Sequence, residues 1–186
     1  MKFAAPLALV CSLSLPLLLS AAPQVPRKAV ELAFNVPGHG QDLLSSQHGK
    51  VVALAFIETT CPHCQHWTGI FKKFQSVYGP RGFQVLEVAV NALDDGGSKQ
   101  GANKVVTDFA RQFGVNFPVG WVSKPQMASF MGYAQSRFVV PQLVLIDRNG
   151  VIREQTDQLG NGNYTQVMNV QYLEKEIGKL LAQRGE

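Results

Sequence analysis

Two cysteines three residues apart, Cys61 and Cys64, enclose Pro62 and His63 and follow closely on an apolar run from Val51 to Ile57. Residues three apart share a helical face, so the two sulfurs can join or part with little movement of the backbone. If Cys61 caps a helix, Pro62 takes its first position, where the fixed φ is pre-organised and the missing N–H costs nothing. A thiolate there is favoured by the positive end of the helix dipole, and the thiolate is the form that attacks another disulfide. His63, between the cysteines, is a second candidate source of positive charge. The pattern therefore predicts an exposed, acidic, nucleophilic Cys61 and a more sheltered, resolving Cys64.

The chain has three cysteines in 186 residues, and Cys11 falls in a leader, which leaves only this pair in the domain. A disulfide scaffold needs more cysteines, and a structural zinc site normally needs a second ligand pair. A purely structural disulfide is disfavoured because so small a loop removes little chain entropy. Hydrophobic residues make up 46% and charged residues 16%, with enough length for one full core. The net charge of +4, which drops by one with Lys2, is too small and scattered to indicate nucleic acid. The neighbours Lys72 and Lys73 read as a solvated helix face.

Met1 to Ala22 carries one basic residue, a long apolar stretch broken by Pro6 and Pro16, and then Ser20-Ala21-Ala22. It reads as an export signal, with an uncleaved membrane anchor as the alternative because Pro23 follows the cleavage position. Lipidation at Cys11 fits less well, since Leu9-Val10 lacks the small residue such signals place before the cysteine. Either leader delivers the domain outside the cytoplasm, periplasmic or anchored to the inner membrane, where disulfides persist.

The cysteine pair must be positioned by what surrounds it. Residues 23–28 read as a linker and 29–186 as the domain. Ala29 to Phe34 is a weak first strand, and a polar segment containing His39 and His48 runs on to Gly49. Lys50 to Ile57 is a strand of the kind buried on both faces of a sheet. Trp67, Ile70, Phe71, Phe74 and Val77 then recur at helical spacing up to Gly79-Pro80. Phe83 to Asn91 is a second buried run, and Leu93 to Gly101 is a polar loop. A helix follows over about Lys104–Gln112, then a short strand at Phe117–Val122 and a helix over Gln126–Tyr133. The strand Gln142–Ile146 and the turn Asp147-Arg148-Asn149-Gly150 form a hairpin with Val151–Glu154. Tyr164 to Ala182 reads as one final helix with Val167, Leu173, Ile177 and Leu180 on a single face. The fold class is α/β with a central mixed sheet flanked by helices.

Glu87 stands alone in its apolar strand. A lone buried carboxylate is costly unless it is paired or protonated, so a raised pKa is expected, and Glu87 is a candidate to take the proton from Cys64. Otherwise its position is an edge one, where the side chain reaches solvent. Glu58, at the end of the preceding strand, is a weaker candidate.

The segments GKVVALAFIETTCPHC and NFPVGW…FVVPQLVLIDRNG resemble the thioredoxin superfamily, and in particular its exported TlpA/ResA-like branch, from about Ala29 to the C-terminus. The resemblance implies a thioredoxin-like fold and a redox-active Cys61–Cys64 disulfide with no other cofactor. It also implies cysteine-containing protein substrates and a membrane electron donor or acceptor. Pro141 would be cis and face the disulfide, with Val140 offering backbone hydrogen bonds to a substrate chain. Where the family carries tryptophan before the first cysteine, this chain has Thr60; where thioredoxin buries an acid, it has Ala55; where ResA-like reductases carry a helix glutamate, it has Trp67. The Pro-His dipeptide resembles DsbA-type oxidases, whose first cysteine has a pKa near about 3.5 against about 7 in thioredoxin. The scaffold thus resembles reductases and the dipeptide an oxidase, so the direction of electron flow stays open.

Two other readings compete. A peroxiredoxin-like peroxidase shares the overall fold but wants Thr and Pro where this chain has Glu58 and Leu54. An SCO-like copper module would use Cys61, Cys64, His63 and His66, but its motif is CxxxC with a distant histidine, and these two histidines leave the helix on different sides.

Overall fold

Val51–Ile57 contains only apolar side chains, and it forms β4, buried along its whole length in the middle of a mixed sheet. The computed structural model describes residues 24–133 and 137–183; the expected leader lies outside them. β4 pairs in parallel with β5 (Phe83–Ala89) and antiparallel with β7 (Gln142–Ile146). The remaining strands are β1 (Arg27–Lys28), β2 (Ala33–Val36), β3 (Gly40–Leu43), β6 (Val119–Trp121) and β8 (Val151–Gln155). Their order across the sheet is β1-β8-β7-β4-β5-β6-β2-β3.

Strand alternation splits the core into two layers. Ala53, Ala55 and Ile57 join Val85, Ala89, Leu143 and Leu145 on one face, under α1 (Pro62–Tyr78), α3 (Lys99–Phe113) and α6 (Val170–Ala182). Val52, Leu54 and Phe56 join Leu86, Val88 and Val144 on the other, under α4 (Lys124–Met131) and the segment around Leu32 and Phe34. Each face therefore has its own helical cover, as continuous apolar strands require. Truncating a core anchor such as the fully buried Phe71 to alanine costs about 3–5 kcal/mol.

Several expected boundaries move. Arg27 and Lys28, assigned to a linker, form β1, paired with Ile152 and Val151, and the Arg27 guanidinium donates to Gln155 Oε1 at 2.7 Å and the Phe130 carbonyl at 3.1 Å. The domain thus begins before Ala29, and its next strand is Ala33–Val36 rather than Ala29–Phe34. The polar stretch up to Gly49 holds β3 and a 3₁₀ turn at Leu44–Gln47. The expected loop Leu93–Gly101 contains α2 (Ala92–Gly96) and the start of α3, where Ser98 caps by accepting from Gly101 N–H at 3.0 Å. The glycines there serve close approach: a Cβ on Gly101 would stand 1.9 Å from the Gly96 carbonyl oxygen. The last helix is two, α5 (Tyr164–Val167) and α6, because the Asn169 side chain caps a new start by accepting from Tyr172 N–H.

The hairpin at Asp147–Gly150 forms as read, with Asp147 N–H donating to the Val151 carbonyl at 2.9 Å and Gly150 at φ 74°. The topology then decides what meets the cysteines. Parallel β4 and β5 end at one edge of the sheet, and antiparallel β7 begins there, with Phe56 opposite Gln142. Pro141 is carried to the edge from which the chain leaves β4 for the cysteine pair.

Candidate active site

Cys61 is the N-cap of α1, with φ −79° and ψ 120°, and Pro62 is the first helical residue. The approach to it is held from several directions. Cys61 N–H donates to the Glu58 carbonyl at 3.1 Å, and Gln65 N–H to the Cys61 carbonyl at 3.0 Å. Thr59 N–H donates to Asn91 Oδ1 at 3.1 Å, while Asn91 Nδ2 donates back to Thr59 Oγ1 at 3.1 Å. Gln65 Nε2 donates to the Thr59 carbonyl at 2.9 Å. Asn91 is itself buried and also donates to Asp95 Oδ2, so the end of β5 braces the turn after β4.

Both cysteines are free thiols here, Cys61 half-buried and Cys64 with no exposure at all. Burial pushes the Cys64 thiol far above the usual range; a backbone hydrogen bond from Glu58 opposes this, and neighbouring Cys61 and Glu87 add to it. Pro62, His63 and His66 are exposed. Glu58 is ion-paired with Lys124 at 3.8 Å, and Lys124 also pairs with Asp94 at 3.1 Å.

Glu87 does not reach solvent. It is completely buried under α1, directly opposite Ala55 in the β4–β5 register and beside Val119 of β6. Its burial lifts the carboxyl from 4.5 to about 8, with a smaller opposing effect from the Thr68 hydroxyl. Thr68, one turn beyond Cys64 and also buried, has its Oγ1 2.9 Å from Glu87 Oε1 and 3.0 Å from the Cys64 carbonyl. Among the described residues, Glu87 Oε2 has no hydrogen-bond partner. The acid that thioredoxin would place at Ala55 thus sits one strand over, still under the first helix.

The Val140–Pro141 peptide bond is cis, Pro141 is buried and Val140 packs against both core layers. The Tyr164 hydroxyl donates to the Pro141 carbonyl at 3.0 Å. The same phenol is pushed up to about 12, by burial first and then by the charges of Cys64 and Cys61. Tyr164 therefore ties the proline segment to the neighbourhood of the cysteine pair. Sequence reasoning missed Thr68, Asn91 and Tyr164. Thr68 carried a signal, a polar residue four after Cys64 on the apolar face of α1; Tyr164 lies about a hundred residues away and carried none.

The copper reading gains no ligand set: among the described residues, no three His, Cys, Asp or Glu side chains gather closely enough to hold a metal ion. Nor, among the described residues, is any helix long and apolar enough to cross a membrane.

Against known families, the AhpC/TSA family model matches residues 25–155, which includes β1 through β8. The chain belongs to the AhpC/TSA family. Solved structures similar to this AhpC/TSA member share its thioredoxin-like fold. One is a provisionally assigned thiol:disulfide interchange protein DsbE from Chlorobium tepidum, 26% identical over 84% of this chain and 97% of the other, with a TM-score of 0.64. Another is a thioredoxin-family thiol:disulfide interchange protein from Chlorobium tepidum TLS, 20% identical over 87% and 100%, with a TM-score of 0.64. A third is a provisionally assigned protein disulfide isomerase from Bacteroides thetaiotaomicron, 23% identical over 86% and 91%, with a TM-score of 0.63. No curated protein matches the chain significantly. Family and fold agree with the α/β thioredoxin-like architecture and with oxidoreductase chemistry in general.

Proposed function

We propose that this AhpC/TSA member is an exported thiol-disulfide oxidoreductase that exchanges the Cys61–Cys64 pair with cysteine-containing proteins. The observation that carries the reading is the asymmetry of the pair: Cys61 reaches solvent at the N-cap of α1, while Cys64 is sealed beneath it near Glu87. In this reading Cys61 meets a large substrate and Cys64 finishes the exchange.

In the reducing direction the Cys61 thiolate attacks a substrate disulfide; the substrate S–S bond breaks, one substrate thiolate leaves and a mixed disulfide forms. Cys64 then gives its proton to the Glu87 carboxylate and attacks Cys61. The mixed disulfide breaks, the second substrate thiolate departs, and two electrons have passed from the dithiol to the substrate. The oxidising direction is the reverse, with protonated Glu87 returning the proton to Cys64. A base near pH 8 suits either direction, because neither protonation state is rare near neutrality. Pro141 and Val140 line the substrate side and His63 favours the thiolate. The leader read from the sequence supports an export destination, and the thiol:disulfide interchange protein among the similar folds supports cysteine-containing protein partners.

The test is the reduction potential of the Cys61–Cys64 pair, equilibrated against a glutathione series. A value near about −270 mV makes the protein a reductase fed by an electron donor, and one near about −120 mV makes it an oxidant of substrate thiols. Failure of the pair to form a disulfide anywhere in the series refutes exchange. Rapid turnover of hydrogen peroxide with no such disulfide would point to the peroxidase reading instead.

A further inference from the structure

On either side of Val140, the backbone groups of Val139 and Pro141 are occupied by the protein itself. Val139 N–H donates to the Gln158 carbonyl at 3.0 Å, and the Val139 carbonyl accepts from Gln142 Nε2 at 2.9 Å. Pro141 has no N–H, and its carbonyl accepts from Tyr164. Val140 is different: among the described residues, neither its N–H nor its carbonyl has a partner. Half-buried backbone groups of this kind need a hydrogen-bond partner, and an extended chain laid alongside supplies both a donor and an acceptor.

The residues that create this arrangement form one network. Gln142 is wholly buried, and the same Nε2 that holds Val139 lies 3.1 Å from the Asp157 carbonyl. Its Oε1 accepts from Tyr133 and Thr156. Asp157 Oδ1 accepts from Leu159 and Asn161 N–H at 3.2 and 2.8 Å, and Oδ2 accepts from Tyr164 N–H at 3.1 Å. Asn163 closes the loop, accepting from Asp157 N–H at 3.0 Å and donating to the Gln155 carbonyl at 2.8 Å. Tyr164 is thereby set at the start of α5 with its hydroxyl on Pro141.

We infer that Tyr164, held by Asp157, is a positioning residue that fixes the Pro141 carbonyl so that Val140 alone offers open backbone groups to an extended, cysteine-bearing polypeptide. This rests on the exchange reading above. Half-buried near two thiols, the phenol stays protonated and remains a donor throughout the working range. Among the described residues Tyr164 makes no hydrogen bond to either sulfur, and it acts through the Pro141 backbone.

The experiment uses the reduced full chain and two probes: an extended peptide carrying one cysteine as a mixed disulfide with 2-mercaptoethanol, and bis(2-hydroxyethyl) disulfide, which has no backbone amide to pair with Val140. Tyr164→Phe, which removes only the hydroxyl, should lower kcat/KM for the peptide about three- to tenfold, chiefly through KM, and leave the bis(2-hydroxyethyl) disulfide rate within about twofold. Asp157→Asn, which leaves one acceptor oxygen where the carboxylate uses two and so cannot hold the Leu159, Asn161 and Tyr164 N–H groups together, should show the same split. A Tyr164→Phe protein that handles both probes as wild type does, or loses both equally, overturns the inference while leaving exchange intact. A wild-type protein that reacts with neither probe overturns the exchange reading and this inference with it.

Discussion

Thr68 and Glu87 share a buried hydrogen bond, 2.9 Å from Oγ1 to Oε1, while the same Oγ1 lies 3.0 Å from the Cys64 carbonyl. One hydroxyl proton cannot serve both oxygens at once. A protonated Glu87 resolves the conflict by donating to Thr68, which then donates to the Cys64 carbonyl. The partnerless Oε2 is in that state the carbonyl oxygen of a neutral acid, far less costly to bury than half of an anion. Geometry and the raised pKa therefore agree on a carboxyl that is mainly neutral near neutral pH, with an ionised fraction left to take the Cys64 proton.

That neutrality makes folding stability depend on pH. Below pH 4.5 the carboxyl is protonated in folded and unfolded chains alike, so its full stability is present; between 4.5 and about 8 only the unfolded chain gives up the proton. Stability accordingly falls as pH rises through this window and has lost its full increment above about 8. Glu87→Gln should flatten the profile, with wild type losing on the order of 3–5 kcal/mol relative to the variant across the window. Urea unfolding of both proteins at a series of pH values decides it; parallel curves would show that the carboxyl is ionised in the fold.

The same exchange of protons should appear in kinetics. The rate at which Cys64 resolves a mixed disulfide on Cys61 is expected to climb with pH as Glu87 becomes a base near about 8. Glu87→Gln should slow that step about a hundredfold and remove the inflection. Stopped-flow release of a labelled peptide thiol gives both numbers, and unchanged release would take Glu87 out of the mechanism.

Cys64→Ser should leave attack by Cys61 intact but strand the product, so that a one-to-one mixed disulfide with the substrate accumulates and is visible by mass spectrometry. Cys61→Ser should form none, because the remaining sulfur has no exposure. A stable adduct on Cys64 instead would reverse the assigned roles.

Asn91→Ala strips the buried Thr59 N–H and hydroxyl of their partner and should cost about 1–3 kcal/mol in denaturant unfolding. Since Thr59 leads into the Cys61 cap, exchange with a peptide disulfide should slow as well. A stability loss with no change in exchange rate would make Asn91 a purely structural clamp.

Local patterns carried much of this protein. The apolar run Val51–Ile57, the proline after Cys61 and the Asp147–Gly150 turn act within a few residues of themselves, so the central strand, the capped helix and the hairpin are legible without tertiary information. Composition misled where packing overrode it. Leu93–Gly101 looks like a loop because it is polar and glycine-rich, yet the Gly96 and Gly101 backbones meet too closely for side chains and the segment turns helical. Arg27 and Lys28 look like linker until β8 gives them a partner.

The sequence by itself determined the pair of cysteines, their order on the helix and the presence of one acid in an apolar strand. Whether Glu87 faced water or the core was a matter of sheet register, for its neighbours on either side belong to β4 and β6, strands more than thirty residues away. Tyr164 reached Pro141 only because β7 and β8 return their ends to the edge where α1 begins. Side-chain chemistry is written along the chain, but burial and long-range hydrogen bonds exist only once the strands are paired, and these set the proton affinity of Glu87 and leave Val140 open.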